Sequence, residues 1–125
     1  MNNFLLFQIN MTPDEVNVVN REGWEFAKMM FPRVKAYLAN SISFSREERV
    51  TDLDLYDLTA RIKAENLDEV FEVTNLWNRP EQVKKFRQAV RSGSVGDIIA
   101  DVANDRFYMI ASCGFDDITD EIEAA

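Results

Sequence analysis

The stretch GDIIADVANDRFYMIA, residues 96–111, decides the reading of the fold. Its two halves, Gly96–Val102 and Arg106–Ala111, are rich in β-branched, aromatic and other apolar residues. Between them lies the polar Ala103-Asn104-Asp105, a turn signal, so the spacing predicts two strands joined as a C-terminal β-hairpin. Working outward toward the N-terminus, Pro80 suits a first helical position, and Val83, Phe86 and Val90 recur at helical spacing. A helix over about 80–90 follows, with those three residues inward. Leu67, Val70, Phe71 and Thr74 predict another short helix, to about Asn75. Leu53–Ile62 alternates apolar and polar residues and reads as a half-buried strand.

Ser41–Asp52 is polar enough for a loop, with a helical turn over Ser45–Glu48. Upstream, Trp24, Ala27, Met30, Phe31, Val34 and Leu38 outline a wide apolar helical face. Pro32 interrupts it and predicts a kink or two helices meeting. Thr12, Pro13 and Glu15 form a capping box that opens a first helix ending near Gly23, and Phe4–Ile9 reads as a buried strand. Beyond the hairpin, the tail over 116–125 carries Asp116, Asp117, Asp120, Glu121 and Glu123 with no basic residue. Its end is expected to be solvated or frayed. These elements predict one α+β domain over residues 1–125. It would hold a small antiparallel or mixed sheet of about four strands packed against helices.

Composition excludes several chemistries. The chain is 125 residues long and has a formal net charge of −8, which opposes a surface devoted wholly to nucleic acid or anionic membrane. It contains no histidine, which removes Ser-His-Asp and Cys-His catalysis and His-ligated metal. The single Cys113 has small neighbours and acidic residues downstream, so a packed, unreactive thiol is expected. Asp52, Asp54 and Asp57, and separately Asp116, Asp117 and Asp120, lack the ordered ligand spacing of a calcium loop. Neither a metal nor a cofactor is expected. Ser92–Asp97 lacks the lysine of a phosphate loop and reads as a turn feeding a strand. The N-terminal residues lack the features of a secretory signal, and no apolar run is long enough to span a membrane. A cytoplasmic protein is expected.

The most informative local feature is basic. Arg79, Lys84, Lys85, Arg87 and Arg91 stand against the single acid Glu81 over residues 79–91. On a helix they would present a docking face, with Ser92, Ser94 and Asp97 in the turn beyond it. Such a face would suit an acidic host protein, and it is also the place where nucleic acid would bind.

Three motifs in the C-terminal half carry a resemblance. They are Leu67–Asn78 ending in Thr74-Asn75-Leu76-Trp77-Asn78, then Arg91–Ile99 with Ser94-Val95-Gly96-Asp97, then Phe107-Tyr108 followed by Ser112-Cys113-Gly114-Phe115. Their order resembles the YodL-like domain family of bacteriophages and other mobile elements, over roughly Leu67–Ile118. Gly96 stands where that family has serine. The resemblance implies a mobile-element origin and carries no catalytic or metal-binding set. The leading expectation is a non-enzymatic accessory protein that binds a host cytoplasmic protein or protein–nucleic-acid complex. The alternatives are a small metal-dependent enzyme acting on nucleotides or nucleic acids, and an acidic DNA mimic.

Overall fold

A computed structural model of the protein describes residues 1–42, 49–87 and 90–124. The chain forms an α+β fold built on a six-stranded sheet in which every pairing is antiparallel. The strands are β1 (Asn2–Gln8), β2 (Asp57–Ala64), β3 (Val83–Lys85), β4 (Ile98–Asp101), β5 (Arg106–Ile110) and β6 (Phe115–Asp117), in the spatial order β3-β2-β1-β4-β5-β6. The hairpin of β4 and β5 forms as expected, turning through residues 102–105, where Asp105 takes a left-handed φ of 54°.

Among the described residues, five α-helices accompany the sheet: α1 (Pro13–Glu22), α2 (Trp24–Met30), α3 (Pro32–Tyr37), α4 (Leu67–Leu76) and α5 (Thr119–Ala124). The α1 capping box closes in both directions, with Glu15 N donating to Thr12 Oγ1 and Thr12 N donating to Glu15 Oε1. Gly23, at φ 90°, stops the helix. Pro32 divides the next apolar segment into α2 and α3. It sits in the first turn of α3, where its missing amide costs no hydrogen bond.

The sheet has an apolar layer on each side. Phe4, Leu6, Ala60, Ile62, Ala64, Ile99 and Ile110 pack with Val70 and Val73 of α4. On the other side Ile9, Ile98 and Met109 pack with Ala36 of α3, Tyr56 and Ile118. Burying each large side chain of these layers contributes roughly 1.5–3 kcal/mol. No helix of the described residues is long and apolar enough to cross a membrane.

Several expectations are corrected. The sheet has six strands, because β3 and β6, of three residues each, are too short to show as apolar runs. No helix runs through residues 80–87. A 3-10 turn at Pro80–Gln82 leads into β3, which takes the open edge of β2. Phe86, placed inward by helical spacing, is 44% exposed, while Gln88 and Ala89 lie outside the described residues. The strand of the Leu53–Ile62 region starts only at Asp57. Leu53–Leu55 is a 3-10 turn, opened by the Asp52 side chain accepting from Asp54 N.

The acidic tail is ordered through β6 and α5. Arg49 holds it, donating to Asp116 Oδ2 at 3.0 Å and to both oxygens of Glu121. Cys113, expected to be packed, is exposed instead, on the bend between β5 and β6. The helical turn expected at Ser45–Glu48 lies outside the described residues.

Candidate functional site

The five basic residues read as one helical face are distributed over three places. Arg79 binds back onto α4, donating to Glu72 and lying 3.9 Å from Glu69. The Lys85 ammonium sits 4.7 Å from the ring centre of Trp77, the left-handed residue that ends α4. Lys84, one residue earlier, points to the other side of the sheet. It stands opposite Arg61 in register and above the Phe86 ring at 5.8 Å. Only Arg87 and Arg91 come together, at one groove.

That groove encloses about 520 Å³ where the chain leaves β1 and passes into α1, beside α3. Ile9, Met11, Val16 and Tyr37 form its apolar lining, and Asp57, Arg87 and Arg91 its charged one. Asp57 is held between two cations, with Arg33 Nη1 at 3.2 Å and Arg87 Nη2 at 3.5 Å. Arg91 donates to the Ile9 carbonyl at 3.0 Å and to Asn10 Oδ1 at 3.3 Å, and it lies 3.5 Å from Asp97 Oδ1. Three guanidinium groups, Arg33, Arg87 and Arg91, thus face two carboxylates, Asp57 and Asp97. The volume falls within the range of ligand-binding clefts, and the charge balance favours an anion.

Ser92, Ser94 and Asp97 form the turn behind Arg91. Ser94 N donates to Asp97 Oδ2 at 3.0 Å, and Gln8 Nε2 donates to the same oxygen at 3.0 Å and to the Arg91 carbonyl at 3.0 Å. The Ser92 carbonyl takes a longer bond from Gln8 at 3.4 Å. Burial pushes the Asp97 carboxyl up to about 6, against the pull of Arg91, Gln8 and the Ser94 amide. The turn fits because two glycines pass close to other elements. A Cβ on Gly93 would stand 2.6 Å from Thr74 Oγ1 of α4, and one on Gly96 would stand 2.8 Å from Asn40 Cβ and 2.9 Å from Asn40 O. Gly96 also has φ +94°, a conformation that side-chain-bearing residues rarely adopt. The Ser92–Asp97 segment is therefore a structural support for Arg91.

Next to the groove lies a surface that the apolar spacing alone did not expose. In α2 only Ala27 is buried. Trp24, Phe26, Met29 and Met30 are 38%, 45%, 82% and 53% exposed, an unusual concentration of large apolar side chains on seven residues. Trp24 stacks on Tyr37, ring centres 6.1 Å apart and planes within 12°, so this surface continues into the groove. Lys28 and Lys35 flank Met29, Met30 and Pro32 in a second depression of about 440 Å³. The signal was present in the sequence. Apolar residues at 24, 26, 27, 29 and 30 surround the helix axis, more than one buried stripe uses.

Of the carboxylates considered for metal, Asp57 pairs with arginines, Asp116 with Arg49 and Asp117 with Arg106. Among the described residues, no group of three or more His, Cys, Asp or Glu side chains is placed to hold a metal ion. Compared with protein-family models, with curated proteins and with solved structures, the chain has no match.

Proposed function

We propose that the protein is a non-enzymatic binding protein that docks an acidic, amphipathic segment of a partner protein. Apolar side chains of the partner would seat on Trp24, Phe26, Met29 and Met30, and its carboxylates would meet Arg87 and Arg91 in the groove, with Lys28 and Lys35 on the far flank. The observation that carries this reading is the continuity of the two surfaces through the Trp24–Tyr37 stack. Exposed methionines suit such a role, because their flexible thioethers adapt to different apolar partners. The motif resemblance over Leu67–Ile118 supports a bacteriophage or mobile-element accessory protein, for which the partner would be a host protein.

Affinity purification of tagged protein from the host tests this reading. A specific partner is expected with the wild type and lost with Met29→Asp. With Arg87→Glu it should be recovered in reduced amount, with a deficit that shrinks as salt rises. Both substituted side chains are exposed, so the fold should be retained. Equal recovery of the same partner by all three folded proteins would overturn the assignment.

A further inference from the structure

A second cationic surface lies along β2 and β3. Arg61 and Lys63 alternate along β2 with Ala60, Ile62 and Ala64, so they point away from α4. Lys84 of β3 stands directly opposite Arg61 on that same side. Phe86 extends the ladder, its amide donating to Thr59 O at 2.9 Å, and its ring lies beneath the Lys84 ammonium. Lys63, Lys84 and Phe86 are exposed, and Arg61 is half-buried.

None of Arg61, Lys63 and Lys84 has an ion-pair partner among the described residues. This is unexpected in a chain of net charge −8, where carboxylates outnumber cations by 22 to 14. Like charges directly opposed across two strands also destabilise the pairing. Protection of a sheet edge accounts for lysines on β3 but not for Arg61 and Lys63 on the interior strand β2.

We propose that this face binds single-stranded nucleic acid. Neighbouring strands are about 4.8 Å apart and alternate residues about 6.7 Å apart along a strand, a spacing of cations suited to successive phosphates of an extended chain. Arg61, Lys63 and Lys84 hold the phosphates, and the exposed Phe86 ring stacks on a base. A base paired within a duplex offers no such face, which selects the single strand.

The test is fluorescence anisotropy of the whole protein with a labelled oligothymidylate of about 12 nucleotides, a length within the site sizes of single-strand binders. Binding by the wild type is expected to weaken steeply between about 50 and about 200 mM salt. The double variant Lys63→Glu, Lys84→Glu should lose at least about tenfold in affinity and lower the log–log salt slope by about 1.4, two phosphate contacts' worth. Phe86→Ala should lose about tenfold. Lys85→Glu, on the opposite side of the sheet, and Met29→Asp, on α2, should bind as the wild type does. Failure of the wild type to bind, or unchanged binding by the folded double variant, would overturn the proposal. Equally tight binding of polyglutamate through the same lysines would also overturn it, reassigning the face to an acidic protein.

Discussion

Asp97 shows how one residue joins the core to the candidate docking groove. Its side chain is almost wholly buried, yet its carboxyl receives hydrogen bonds from Gln8 and the Ser94 amide and stands beside Arg91. The protonated form is favoured in the fold, with the carboxyl at about 6 against an ordinary 3.8. The folded protein therefore binds this proton more tightly than the unfolded chain does. The stability that Asp97 contributes is full below about pH 4 and falls away as pH rises to about 6, a change on the order of 3 kcal/mol. Asp97→Asn keeps the size and cannot ionise. The stability of the wild type relative to Asp97→Asn should fall from pH 4 to pH 6 and level above about pH 7, as measured by urea unfolding across that range. A difference that rises with pH, or stays flat, would contradict the burial assigned to this carboxyl.

At the scale of elements, legibility followed length and capping chemistry. The α1 box, the Gly23 stop, the Pro32 break and the β4–β5 hairpin are each set by local side chains, and each was readable before any tertiary contact was known. The 80–90 region was misread because Val83, Phe86 and Val90 match helical spacing, whereas the open edge of β2 offers backbone partners that residues 83–86 accept. Three residues are too few for strand alternation to outweigh that spacing. The elements of the acidic segment were not legible for a related reason. Asp116 and Glu121 gain order from Arg49, about seventy residues away in sequence, a partnership no local pattern announces. Arg49→Met retains the length of the side chain and removes both ion pairs. It should cost about 1–3 kcal/mol in urea unfolding, the worth of hydrogen bonds to charged groups. It should also release the α5 amides to hydrogen exchange while those of α4 stay protected. Unchanged protection of α5 would show that Ile118 and Ile122 anchor the tail without Arg49.

At the scale of the whole molecule, charge and apolar surface are distributed unevenly. A chain with a net charge of −8 keeps Arg87 and Arg91 at one groove, Lys28 and Lys35 beside exposed Met29 and Met30, and Arg61, Lys63 and Lys84 on one end of its sheet. Five of the eight residues assigned to docking from sequence have partners within the fold: Arg79 and Lys85 lie against α4 and its end, and Ser92, Ser94 and Asp97 form the turn behind Arg91. The apolar excess of α2 was legible in its sequence, but Trp24 and Met30 also fit a core stripe, and the packing of α2 through Ala27 leaves both of them outside. On the function proposed above, α2 and the arginine groove form one docking surface for an acidic, amphipathic segment. The most direct measurement is selection of binding peptides from a random displayed library against the folded protein. The selected peptides should combine Asp or Glu with large apolar residues. Their binding should be lost with Met29→Asp and weakened with Arg87→Glu, while the double variant Lys63→Glu, Lys84→Glu binds them as the wild type does. Selected peptides without acidic residues, or peptides whose binding is indifferent to both Met29→Asp and Arg87→Glu, would contradict it.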